Sequence, residues 1–316
     1  MKKFALSVLA MLFFVLAAGQ STTAQEKYTL KSAYPPGQYE MVMGIDMDMT
    51  IDMSGAKMPM QQKQTQYMAI DAAAKNADGT QKIVMELTRV VLDQKMSMAN
   101  LKYDSADPDS DKSPMKAAGV IVGLKITTLF DKDGKPTKVE GMDEFFDKLL
   151  NNPEYPKPIA EMMKKKISNE SMTKMMDFAR DAMPKEPVAV GETWKTEGTS
   201  TLPILGEAKT NLENTLETVK TENGRKIAVI ATKLLIQSDE PNEMEPVPGA
   251  KVTFTKMNIT GNTTVLLDIE SGLALSSTSD TEMAMELSTN VGDKTMEQKI
   301  SGKGKTTMTM TPIPDK

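Results

Sequence analysis

Residues 39–54 read YEMVMGIDMDMTIDMS. Taken alternately, Tyr39, Met41, Met43, Ile45, Met47, Met49, Ile51 and Met53 form one set, and Glu40, Val42, Gly44, Asp46, Asp48, Thr50 and Asp52 the other. Strand side chains alternate with period 2, whereas a helix repeats every 3.6 residues. The stretch is therefore a long strand with a methionine face and a largely acidic face. One packed face and one wet face is the pattern of an antiparallel sheet.

The same pattern recurs along the chain. Residues 64–74 lead through Asn76-Ala-Asp-Gly79 into 81–101, and 120–131 turn at Lys132-Asp133-Gly134 into 136–140. Asn-Gly and Asp-Gly clusters favour hairpin turns because they tolerate positive φ. Between 142 and 187 the period changes to helical: Phe145, Phe146, Leu149 and Leu150, then Ile159, Met162, Met163 and Ile167, then Met172, Met175, Met176, Ala179 and Met183. Pro153, Pro156 and Pro158 separate the first two helices, Ser168 or Asn169 caps the third, and Pro184 and Pro187 end it. Strands resume over 189–201, 208–221, 225–237, 252–268, 273–288 and 295–311, and the proline-bearing segment 239–249 reads as a loop. Leu212, Leu216 and Val219 also fit a helix, although the threonines around them favour a strand.

The expected fold is mainly β (α+β), with two similar antiparallel curved-sheet halves, 25–141 and 188–316, flanking the helical segment 142–187. Lys75–Gly79 before Lys82-Ile-Val-Met resembles Lys220–Gly224 before Lys226-Ile-Ala-Val. Thr127–Asp131 before Gly134 resembles Thr264–Asp268 before Gly272. This order suggests an internal duplication.

Residues 1–24 have the grammar of a cleaved signal peptide: Lys2 and Lys3, an apolar run Phe4–Ala18, and small residues to Ala24. No second long apolar stretch follows, so no membrane span is expected after its removal. The chain has no cysteine, which removes disulfides, thiolate metal sites and a lipobox. A periplasmic or secreted location is expected. The formal charge of −5, or −7 without Lys2 and Lys3, disfavours nucleic acid. The absence of histidine removes the commonest general base and metal ligand.

The 28 methionines offer the chemistry. Methionine is flexible and polarizable and lines surfaces that accept varied apolar partners. The leading expectation is a non-enzymatic protein binding a lipid or other hydrophobic ligand. Met41, Met43, Met47 and Met49 would form the face, Met172, Met175 and Met176 a lid, and Trp194 an anchoring or stacking residue. No cofactor is expected in that reading. One alternative is Cu(I) binding by the same thioethers, which soft metals select, with Met-x-Met pairs at 96/98, 283/285 and 308/310. The other is an interaction protein whose methionines are only core. Asp107, Asp109 and Asp111 have calcium-loop spacing, but Pro108, Lys112 and Ala118 break the pattern. No carboxylate pair is brought together by spacing, so no enzyme is expected.

Tyr28-Thr-Leu-Lys, Gly37-Gln-Tyr39 and Val190-Gly-Glu-Thr-Trp194 behind a signal peptide resemble a family of uncharacterised exported bacterial proteins, a domain of unknown function. The resemblance implies export and brings no catalytic residues. The sheet-plus-helix plan is also similar in architecture to the LolA-type periplasmic lipoprotein carriers.

Overall fold

The computed structural model describes residues 25–314 except 54, 98, 154, 156, 203–205, 248 and 293. The expected signal peptide and Met98 lie outside the described residues. The strands are β1 (Lys27–Tyr28), β2 (Gly37–Met53), β3 (Ala56–Ala72), β4 (Gln81–Met96), β5 (Ala99–Asp104), β6 (Lys125–Phe130) and β7 (Pro136–Glu140). Three helices follow, α1 (Met142–Asn151), α2 (Lys157–Lys166) and α3 (Asn169–Asp181). The chain continues with β8 (Val188–Ala189), β9 (Thr193–Leu202), β10 (Gly206–Glu222), β11 (Arg225–Ser238), β12 (Asn242–Val247), β13 (Ala250–Asp268), β14 (Ala274–Val291) and β15 (Lys294–Ile313).

Thirteen strands form one antiparallel sheet in the order β7-β6-β4-β3-β2-β15-β14-β13-β11-β10-β9, with β5 on β4 and β12 on β13. The sequence suggests two sheet halves; the β2–β15 pairing, Gln38 to Ile313 through Met53 to Gln298, joins them into one surface. The segment 208–221 is strand, not helix, and turns into β11 at Asn223 and Gly224, both with positive φ. The segment expected as a loop holds β12, whose register shifts between Met244 and Val247; an edge strand with an irregular ladder accommodates Pro246. The expected strand 120–131 is shorter, because Lys116–Ile121 forms a 3-10 turn before β6.

A flat sheet would hold β7 and β9 about 48 Å apart, ten spacings of roughly 4.8 Å. One helix, about 10 Å across, nonetheless packs on both: α3 touches β7 and β9. The sheet is therefore curled, and α3 fills the gap between its edges. Ser168 caps α3 by accepting from the Ser171 amide at 3.1 Å. On one side Lys135 pairs with Asp177 at 3.7 Å and the Thr128 hydroxyl lies 3.7 Å from Met176 Sδ. On the other, Trp194 Nε1 donates to the Ala182 carbonyl at 2.8 Å and Thr196 Oγ1 to the Asp181 carbonyl at 3.2 Å. A β-carbon on Gly198 would lie 2.7 Å from the Phe178 ring, so only glycine lets the helix approach β9 this closely.

The face that α3 covers is the face of Tyr39 and Met41. Near the turns at 73–80, 223–224 and 269–273 it is sealed by the N-terminal segment. Leu30 joins Leu216, Ile230 and Leu267 in one buried cluster, and Tyr34 packs on Tyr39, Ile70, Ile83 and Met310 in another. A third cluster, Met142, Phe146, Leu149 and Ala160, holds α1 to α2. Substituting Gly198→Ala is expected to destabilise the fold by about 1–3 kcal/mol by overpacking. In a Phe178→Ala background that cost should largely vanish, as a double-mutant cycle of urea unfolding curves will read.

Candidate functional site

The ladders arrange the methionines into a field that no single strand reveals. Met49 of β2 lies opposite Met60 of β3, which lies opposite Met96 of β4. In the other direction the row continues through Gly302, Met283, Ile259 and Ile236. The next row on the same face is Met58, Ile51, Ile300, Met285 and Met257. Met257 is buried, and Met49, Met60, Met283 and Met285 are half-buried. The field opens at its rim, where Met58 is 39 %, Met96 42 % and Met296 45 % exposed. Met49 lies across Gly302, where an added β-carbon would meet its Cγ at 3.0 Å and the Asp48 carbonyl at 2.7 Å.

A polar belt separates this field from the sealed core. It runs through Gln64, Ile45, Thr306, Ser279, Thr263, Thr232, Asn214 and Trp194. Thr263 Oγ1 donates to Ser279 Oγ at 2.8 Å and Thr232 Oγ1 to Asn214 Oδ1 at 2.7 Å. Half-buried hydroxyls thus find partners in one another and in the buried Asn214 amide.

The expected site residues divide accordingly. Met47 and Met49 belong to the field, with Met53 beyond them. Met41 packs into the sealed cluster and Met43 faces Met308 beside it. Met172 packs on the α1–α2 cluster, and Met175 is 44 % exposed. Met176 lines a cavity of about 210 Å³ with Tyr34, Ile83, Phe130 and Arg180. The three lid candidates are thus spread over different surroundings. Trp194 packs on the Leu216 and Ile230 cluster while its indole N–H holds the end of α3. Sequence reasoning named Met96, Met283 and Met285 only as members of Met-x-Met pairs and missed Met58, Met60 and Met257. The Met-x-Met spacing at 58/60 and 283/285 was the available signal, but register decides which pairs meet.

The opposite face is charged in alternation. Asp93, Lys63, Asp46, Lys305, Asp280, Asn262, Lys233, Glu213 and Lys195 face one another in sequence across nine strands. Lys63 pairs with Asp46 at 2.7 Å, and one row along Lys303 pairs with Glu282 at 2.7 Å. Their partners raise the Lys63 and Lys303 ammonium pKa values. A trough of about 930 Å³ lies along these rows, lined by Asp46, Asp48, Asp280, Glu282, Lys233, Lys303 and Lys305. Acid and base nearly balance there, so the trough offers no strong field to an ion. The calcium-like segment is a capped turn: Asp107 accepts from the Asp109 amide at 3.0 Å, and Asp109 pairs with Lys112 at 3.2 Å. Among the described residues no group of three acidic side chains could hold a metal ion, and no helix is long and apolar enough to cross a membrane.

The chain belongs to a family of unknown function, DUF6263, which matches residues 78–274. No curated protein matches it. Among solved structures, one of lipid–protein interactions in lipovitellin is similar at 8 % identity and TM-score 0.41, over 90 % of this chain and 26 % of that one. The chain thus spans about a quarter of lipovitellin's chain, 26 %. The β domain of the Bordetella autotransporter BrkA follows at 8 % identity and TM-score 0.26, over 84 % of this chain and 98 % of that one. A DUF1329-family protein from Desulfovibrio piger ATCC 29098 has 8 % identity and TM-score 0.14, with 83 % of each chain covered. Likenesses of this size lend this chain no residue role and no activity.

Glu213 links β9, β10 and β11: Lys195 and Lys233 each lie 3.4 Å from its carboxylate and hold its pKa below the usual value. A depressed carboxylate stabilises the fold fully above its unfolded pKa of about 4.3, and that stabilisation fades as pH falls through the lower folded value. Glu213→Gln is therefore expected to lower Tm at neutral pH and to approach the parent as pH falls below the usual carboxylate range. Thermal melts across that range check it.

Proposed function

We propose that this protein is an exported, non-enzymatic envelope protein that holds a lipid acyl chain or similar hydrophobic ligand on its methionine field. The observation that carries this reading is the segregation of the inner face. A core would close over its apolar side chains, yet beyond the polar belt Met49, Met60, Met283 and Met285 are half-buried and exposure rises to 45 % at Met296, with Met257 buried among them. Ligand sites are mostly apolar with a few polar groups at their border, and the belt beside the field has that composition. Methionine suits such a surface because its thioether chain refits to acyl chains of differing shape. The leader-like segment 1–24 supports export to the periplasm or beyond.

The halves support a duplicated plan. β3, β4, β6 and β7 have the same order and adjacency as β10, β11, β13 and β14, and the short strands β5 and β12 fall at the same point in chain order but pair on different members, β5 on β4 and β12 on β13. The Asn76–Gly79 and Asn223–Gly224 turns connect corresponding hairpins. Repeating one unit around a curled sheet would give a long continuous face.

A second reading is favoured by one row. Met49, Met60 and Met96 stand opposite one another on adjacent strands, so three thioethers share one line, the donor type that selects Cu(I). The test separates the readings. Purified mature protein is titrated with a fluorescent fatty acid and, separately, with Cu(I). Saturable fatty-acid binding that weakens at least about tenfold in Met60→Lys/Met283→Lys supports the lipid reading, since it places charge where the acyl chain lies. Loss of Cu(I) binding in Met49→Leu/Met60→Leu/Met96→Leu with fatty-acid binding retained supports the metal reading. Binding of neither probe sinks both.

A further inference from the structure

Five large apolar side chains are exposed among the described residues, and four of them are methionines: Met58, Met96, Met175 and Met296, beside Ile313. Leucine, valine, phenylalanine and tryptophan are absent from that set. Among the described residues, four of the five large apolar groups left in water are thioethers. Three of the four, Met58, Met96 and Met296, project from the methionine face near the β2–β3, β4–β5 and β14–β15 turns. The chain has no cysteine, so these sulfurs are its most accessible soft nucleophiles.

We infer that this rim is an oxidation site: peroxide converts Met58, Met96 and Met296 to methionine sulfoxides, and the change releases the ligand from the field. The release rests on the lipid reading above; the oxidation does not. A thioether lone pair attacks one oxygen of a hydroperoxide, and the O–O bond breaks as the S=O bond forms. The leaving oxygen keeps its own hydrogen or alkyl group, takes the proton from the transferred oxygen, and departs as water or as an alcohol. Sulfur loses two electrons and the peroxide gains them. The product is polar and accepts hydrogen bonds, so an apolar rim becomes a wet one.

Geometry orders the reaction. Met58, Met96 and Met296 expose their side chains, whereas Met60 Sδ accepts from Gln94 Nε2 at 2.9 Å and has a lone pair engaged. Met68, Met142, Met257 and Met310 are at most 8 % exposed, and Met257 and Met310 belong to the same face. A sulfoxide at the rim therefore changes the mouth of the field while leaving its floor and the sealed core intact.

The experiment treats the purified mature protein with graded hydrogen peroxide. Peptide mass spectrometry reads each methionine, and fluorescent fatty-acid binding is measured before and after. The expected result is sulfoxide first at Met58, Met96 and Met296 (with Met175 as an exposed helical companion), well ahead of Met60, Met257 and Met310. Affinity should fall at least about tenfold in step with the rim sulfoxides and return on treatment with methionine sulfoxide reductase. Met58→Leu/Met96→Leu/Met296→Leu should keep its own starting affinity after the same dose. Even oxidation across exposed and buried methionines overturns the site. Ordered oxidation with unchanged affinity overturns the release. Failure of the untreated protein to bind fatty acid overturns the lipid reading and the release with it, and the peptide map still decides the site.

Discussion

The closure of the sheet by α3 is the constraint on which the rest depends. A sheet of thirteen strands has two edges, and each is a row of unpaired backbone groups that invites another strand. Curling the sheet brings β7 and β9 near one another, and α3 fills the space between them. The bridge is specific on both sides. Lys135 and Thr128 meet the helix from the β6–β7 hairpin, and Trp194, Thr196 and Gly198 meet it from β9. The fixed curl in turn makes one face inner and one outer, and so gives the period-2 pattern of every long strand its meaning.

The two faces then follow different physics. In the Asp46 and Asp52 rows opposite charges face one another, so Asp46 lies between Lys63 and Lys305 and Asp52 between Lys57 and Lys299. Exposed pairs of this kind contribute little individually. Their larger effect is on register: a one-residue slip would put methionine into water and aspartate against the core. Opposite charges facing one another on either side of Asn262 disfavour registers that would bring like charges into contact. The charged outer face is also unlike that of a membrane-spanning barrel, whose lipid-facing band is apolar.

Local structure was legible in the sequence where one segment carries its own period. The strand 39–53, the helical run with its Ser168 cap and the Asn223-Gly224 turn all follow from neighbouring residues alone. What was not legible is what depends on partners distant along the chain. No pattern within β2 says that Met49 meets Met60 and that Met41 packs on the cluster that Tyr34 also covers, because those outcomes are set by register and by which end of the sheet the N-terminal segment covers. Helical spacing placed Met172, Met175 and Met176 on one apolar stripe. The angle at which α3 bridges two edges distributes them among a helix cluster, solvent and a cavity. The prolines of 239–249 suggested a loop because propensity speaks for central strands, and an edge ladder with a shifted register escapes that rule.

The choice of methionine over leucine on the inner face needs a physical reason, and area alone does not supply one. Leucine would bury similar apolar surface, fits its rotamers better and specifies a tighter core. Where the face is sealed, the chain does use such residues: Leu216, Ile230 and Leu267 in one cluster, Ile70 and Ile83 in the other. Beyond the polar belt the balance shifts to Met49, Met58, Met60, Met96, Met283 and Met285. Exposure rises along the same direction at Met58, Met96 and Met296, while Met257 stays buried. A side chain that gains little from fixed packing loses less by being flexible, and flexibility becomes useful when the facing surface varies. The ligand reading proposed above would account for this change of balance, since a flexible thioether suits a facing surface that varies.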